Sequence, residues 1–165
     1  MKTLFSFPNP VNEKAARVVA FVVFVAAIAT LATGAYWLLI PVAYGFWARV
    51  LTGPTLSPLG WTAQNVVAPR LGEKKPVPGP PKRFAQGMGA AFSTLALVFG
   101  LILGNHDVAD ALLVLLVLAA GLESILAYCV GCEVFAVLMR IGLVPEEICA
   151  ECADISGRLR AAQQS

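Results

Sequence analysis

From Val18 to Ala48 the chain runs 31 residues without a charge. A secretory signal core needs only about 7–15 apolar residues before its cleavage site. The small residues from Ala29 to Ala35 resemble such a site, but the run is far too long, and the segment is read as uncleaved and membrane-spanning. Composition points the same way. Apolar residues make up 58% of the chain and charged ones 13%, against roughly 45–50% and 25% in soluble domains. Mean hydropathy is +0.76. A soluble fold of this size cannot hide so many apolar side chains with so few charges to solvate its surface. The net charge of +2 gives no reason to expect a nucleic-acid partner; the expected partner is the lipid bilayer.

Charge placement sets the expected topology. The basic residues fall in an N-terminal group (Lys2, Lys14, Arg17), a central group from Arg49 to Arg83, and a C-terminal group (Arg140, Arg158, Arg160). Positive charges flanking spans mark the cytoplasmic side, so an even number of spans must separate the first two groups. Thr33-Gly34 offers a helix end in the middle of the uncharged run. The expectation is an all-α polytopic membrane protein of four transmembrane helices, at about 14–32, 35–52, 84–104 and 108–128, with both termini cytoplasmic. Residues 1–141 form the membrane domain and 142–165 a cytoplasmic amphipathic tail, with a helix from Pro145 to about Ala162. Pro41 is expected to kink the second span. Gly100 and Gly104 form either a GxxxG packing pair or just small residues in an apolar helix. Asn105 is expected to cap the fourth helix, with Asp107 and Asp110 favoured by its dipole.

The central connector divides in two. Ser57-Pro58 reads as the start of a short amphipathic helix, stopped by Pro69, with Trp61 available for the membrane interface. The run from Arg70 to Lys75 is a basic strip suited to anionic headgroups. Pro76 to Arg83 reads as a stiff extended segment.

The chemistry lies in two pairs, Cys129-Val130-Gly131-Cys132 and Cys149-Ala150-Glu151-Cys152. Two CxxC pairs at this spacing fall in the range of a zinc site. In a cytoplasmic setting permanent disulfides are not expected, which leaves metal binding, redox work, or plain packing of small apolar thiols. The helical pattern is expected to continue past the fourth span through Glu133 to Ile141, with the neighbouring carboxylates working against thiolate activation. Glu123, inside the fourth span, is a functional candidate unless it snorkels or is held protonated near the inner boundary. His106 with Asp107 and Asp110 offers either an outer-face metal or proton site or merely a capped turn. No Ser-His-Asp arrangement and no phosphate-binding glycine loop is present.

Four stretches carry a resemblance: Phe7-Pro8-Asn9-Pro10-Val11-Asn12, Gly53-Pro54-Thr55-Leu56-Ser57-Pro58-Leu59, Lys82-Arg83-Phe84-Ala85-Gln86 and Tyr128-Cys129-Val130-Gly131-Cys132. Together they resemble the bacterial integral-membrane family called domain of unknown function 4395, from about Phe7 to Leu138. The resemblance implies the bacterial cytoplasmic membrane. It also implies sulfur or thiol traffic, since such members in actinobacteria tend to be encoded beside a thioredoxin-like protein and a thiosulfate sulfurtransferase, the implied partners. The expected function is thiol-disulfide or sulfane-sulfur chemistry through Cys129 and Cys132, aided by Glu123, with no cofactor. The alternatives are a non-enzymatic membrane protein with one zinc held by Cys129, Cys132, Cys149 and Cys152, and an anchor for soluble sulfur enzymes.

Overall fold

The computed structural model describes residues 7, 9–145 and 148. Over these residues the chain is helical apart from short turns and one two-residue β-pair. The order is β1 (Val11–Asn12), α1 (Glu13–Thr33), a 3-10 turn (Tyr36–Leu38), α2 (Leu39–Thr52), α3 (Pro58–Thr62), a π-turn (Ala63–Val67), a 3-10 turn (Ala68–Leu71), β2 (Pro76–Val77), α4 (Gly79–Leu97), a π-turn (Val98–Ile102), α5 (His106–Leu126) and α6 (Val130–Arg140).

Helix ends follow local chemistry. Asn12 opens α1 by accepting from the Lys14 N–H at 3.1 Å. Gly34 closes it in the left-handed region at φ 68°, where an L side chain costs about 1 kcal/mol or more. Ser57 caps α3 through the Gly60 N–H at 3.1 Å, and Asn105 caps α5 through the Val108 N–H at 3.2 Å.

Among the described residues three helices are long and apolar enough to cross a membrane: Glu13–Thr33, Gly79–Ile102 and His106–Leu126. Helix α2 has 14 residues, about 21 Å of rise. Helix α1 packs chiefly on α5, α2 on α4, and α4 also on α5 and α6. The interior is built from small and branched residues: Ala15, Val19, Val23 and Ala27 of α1 face Ala109, Leu113, Leu116 and Ala120 of α5. Large apolar side chains such as Phe21, Trp37, Ile40, Leu118 and Ile125 point outward. Such an apolar exterior suits lipid rather than water.

Basic side chains gather at one end of the bundle. Arg17 donates to the Ser124 carbonyl at 3.1 Å, covering the C-terminus of α5, where a cation offsets the helix dipole. Arg83 donates to the Val50 carbonyl of α2 at 2.9 Å. At the same end β1 pairs antiparallel with β2, and Lys75 bridges Glu13 at 2.9 Å.

Several expectations need correction. Residues 79–83 are not extended: Pro80 and Pro81 occupy the first turn of α4, where the missing N–H costs nothing. Pro41 does not kink α2, because it falls in that helix's first turn. Pro69 does not stop the chain's helical path, which runs on as a 3-10 turn to Leu71. Gly100 and Gly104 are not a packing pair. Gly100 lies against the Tyr36 ring, whereas Gly104 sits at φ +63° in open space and ends the helix. Helix α5 does not run into α6; it stops at Leu126. The tail helix expected from Pro145 onward lies outside the described residues.

Candidate functional site

The site begins at the break between α5 and α6. Ala127 adopts the left-handed region at φ 56°, and the N–H of Tyr128 returns to the Leu122 carbonyl at 3.1 Å. The chain therefore leaves α5 sharply and starts a new helix with Cys129 at its N-cap. The Cys129 carbonyl accepts from the Cys132 N–H at 3.0 Å and the Glu133 N–H at 3.2 Å, so both cysteines occupy the first turn of α6. That end of a helix carries partial positive charge and lowers thiol pKa values.

Gly131 lets α6 approach α4. A Cβ at that position would lie 2.6 Å from the Ala85 Cα, so only glycine allows this contact. One turn further along, Phe135 meets Phe84 at a ring distance of 5.7 Å. The approach sets the thiols beside the first turns of α4, which bring Lys82 and Gln86.

Lys82 is 6% exposed and pairs with Glu123 at 2.5 Å. Glu123 therefore does not snorkel outward; it is held inside by a lysine from another helix. Next to this pair lies Arg49 of α2, also 6% exposed. Its Nε donates to Gln86 Oε1 at 2.7 Å, its Nη1 to Ser57 Oγ at 3.2 Å, and its guanidinium stands 4.8 Å from the Phe46 ring centre.

The two thiols, both free, are driven apart in acidity. Hydrogen bonding from Cys132 holds the Cys129 thiol below its ordinary range, against burial and the Glu123 carboxylate and with help from Lys82. Cys132 moves the opposite way, pushed up by its bond to Cys129 and by burial. This reverses, for Cys129, the expectation that carboxylates would keep it inert: the bond from Cys132 outweighs burial and the Glu123 carboxylate, and a lysine 47 positions away adds to it. One acidic and one reluctant thiol are the two parts that disulfide exchange needs, an attacking sulfur and a resolving one. Cys129 is buried and Cys132 half-buried. A cavity of about 60 Å³ between α1, α2, α4 and α5 reaches Cys129, lined by Val19, Phe46, Gly89, Leu116 and Glu123.

Of the residues singled out in the sequence, Cys129, Cys132 and Glu123 come together. Cys149 and Cys152 lie outside the described residues, and among the described residues no group of three or more His, Cys, Asp or Glu side chains could hold a metal. His106 and Asp110 belong to the other end of the bundle. There the Tyr36 hydroxyl donates to Asp110 at 2.7 Å and the His106 ring stacks on Tyr36 at 5.1 Å. The residues missed are Lys82, Arg49 and Gln86. The available signal was Pro80-Pro81 as a helix start, which would have placed Lys82 one turn into a span.

The sequence profile of one protein family, described as Domain of unknown function (DUF4395), matches residues 11–140. No curated protein and no solved structure matches the chain.

Proposed function

Since the chain belongs to the family described as Domain of unknown function (DUF4395), whose name supplies no reaction, we propose from its own geometry that it is a membrane-embedded thiol-disulfide exchanger working through Cys129 and Cys132. The observation that carries this reading is geometric: two free thiols share the first turn of α6, held against α4 by the close approach of Gly131 to Ala85. The membrane part is four spans, with α2 as the short one and both termini in the cytoplasm. Support comes from the three long apolar helices and from the basic end formed by Lys14, Arg17, Lys75 and Arg83, since positive charge marks the cytoplasmic face. The residues from 142 onward form a cytoplasmic tail in this reading.

The exchange balances without a cofactor. The Cys129 thiolate attacks one sulfur of a substrate disulfide, forming a mixed disulfide and expelling the other sulfur as a thiolate. Cys132 then gives its proton to that departing thiolate and attacks the Cys129 sulfur, releasing the second substrate thiolate. The protein ends with a Cys129–Cys132 disulfide, oxidised by two electrons, and the substrate is reduced by two. Lys82 stabilises the attacking thiolate by charge, and Glu123 holds Lys82 in place. A thioredoxin-like protein is the fitting substrate class; a sulfane-sulfur donor would deliver sulfur to the same Cys129.

Single Cys→Ser variants test the reading. Cys132→Ser is expected to trap a mixed disulfide on Cys129 with a small aromatic disulfide, and Cys129→Ser to abolish rapid exchange. Cys149→Ser and Cys152→Ser are expected to change neither. Stoichiometric zinc in the parent protein, lost equally in all four variants, would replace this reading with the structural zinc site.

A further inference from the structure

Two buried cations at the basic end face a single carboxylate. Lys82 already holds Glu123, and Arg49 makes no ion pair among the described residues. Its bonded partners, Gln86 and Ser57, are both neutral. The third guanidinium nitrogen, Nη2, is buried with no hydrogen-bond partner among the described residues. Burying an uncompensated charge is costly, and structures keep such groups where something neutralises them. Arginine offers its donors as a planar fork, the geometry that suits an oxyanion.

There is space beside it. A cavity of about 50 Å³ between α1, α2, α3 and α4 has an apolar wall from Val11, Ala15, Val19 and Pro54 and a polar side formed by Arg49, Lys82, Gln86 and Gln64, with Gly53 and Gly60 presenting no side chain. One water needs about 10–15 Å³ on this scale, so the cavity holds about four water-sized groups. That suits a small tetrahedral oxyanion and excludes a nucleotide. Gly45 leaves the guanidinium its room, since a Cβ there would lie 3.0 Å from Nη1.

The structure assigns to Arg49, Lys82, Gln86 and Gln64 a binding site for one small oxyanion, either a free sulfur or phosphorus oxyanion or the phosphate of a lipid headgroup. This site does not rest on the thiol reading, because none of its four residues is a cysteine and binding needs no electron transfer. It goes beyond that reading by giving the basic end a ligand.

The test uses the full chain in neutral detergent, with thermal unfolding followed by intrinsic tryptophan fluorescence. Sodium thiosulfate, sulfate and phosphate are titrated against sodium chloride at matched ionic strength. A saturable rise in Tm beyond the chloride control is expected with at least one oxyanion. Arg49→Lys keeps the charge but not the fork and is expected to weaken binding at least tenfold, Arg49→Gln to abolish it, and Cys129→Ser to leave it unchanged. A second arm uses phosphatidylcholine nanodiscs with and without phosphatidylglycerol. Stabilisation by phosphatidylglycerol that free sulfate competes away identifies the headgroup as the source; stabilisation by the free ion alone identifies a soluble one. Should Arg49→Gln not fold, the Arg49→Lys comparison stands in its place. The assignment is overturned if no oxyanion and no anionic lipid exceeds the chloride control, or if Arg49→Lys responds as the parent does.

Discussion

Replacing Glu123 by glutamine isolates the ion pair with almost no change of shape. The parent pair is well buried, with the Lys82 and Glu123 side chains 7% and 14% exposed. Removing one partner of a buried pair leaves an uncompensated charge, at a cost of about 3–5 kcal/mol. Glutamine still offers Lys82 an acceptor, so the lower end, about 3 kcal/mol, is expected. Equilibrium unfolding in mixed micelles measures this loss. Lys82→Met should cost a similar amount, and the double variant less than the sum by roughly 1–3 kcal/mol, as contacting residues couple. The second readout is the alkylation rate of Cys129 at neutral pH. The carboxylate pushes the thiol up and the lysine pulls it down, so Glu123→Gln should speed alkylation and Lys82→Met should slow it. General loosening of the fold would speed both. A stability change under 0.5 kcal/mol with an unaltered alkylation rate would refute the role given to the pair. So would alkylation that accelerates in both variants.

Single cysteines introduced at positions 33 and 106, on a background without native thiols, should label from the external face alone, and one at position 75 from the cytoplasmic face alone. External labelling at 75 would end the four-span arrangement. Gly131→Ala forces a methyl group against the Ala85 backbone and should cost about 1–3 kcal/mol while removing the difference in reactivity between the two thiols. Gly87→Ala, with nothing within 4 Å of its added Cβ, serves as the control and should be neutral or stabilising.

What could be read from the sequence was whatever a short stretch decides by itself. Apolar runs place the long helices, and Gly34, Ser57 and Asn105 mark ends through left-handed φ or side-chain caps. The local reading failed where one local rule met two contexts. Proline clusters favour an extended chain in a linker but also open helices, and at Pro80-Pro81 the apolar run that follows made the helix win. Gly100 and Gly104 share one spacing but do different work, one giving room to Tyr36 and the other reversing the chain. Lys82 and Glu123 stand 41 positions apart, and no local pattern states that their helices bring them together.

The break at Ala127 is the part of the thiol site least legible in the sequence. Nothing in Leu126-Ala127-Tyr128 signals a helix end, since alanine is the best helix former and here stands left-handed at φ 56°, at a cost of about 1–2 kcal/mol. Tertiary contacts offset that cost: Gly131 against Ala85 and Phe135 against Phe84 hold α6 on α4. Had α5 continued unbroken, Cys129 and Cys132 would lie inside a helix whose backbone N–H groups are all used, with no dipole end near them. The turn starts a new helix at Cys129, so both thiols lie in its first turn, at the positive end of its dipole. The same contacts that hold α6 also bring Lys82 to Cys129. The acidity of Cys129 is thus set first by Cys132 within the same turn, with Lys82 of α4 adding to it. A CxxC spacing alone fixes where two sulfurs sit in the chain; the hydrogen bond between them, at the start of a helix packed on α4, sets their acidities apart.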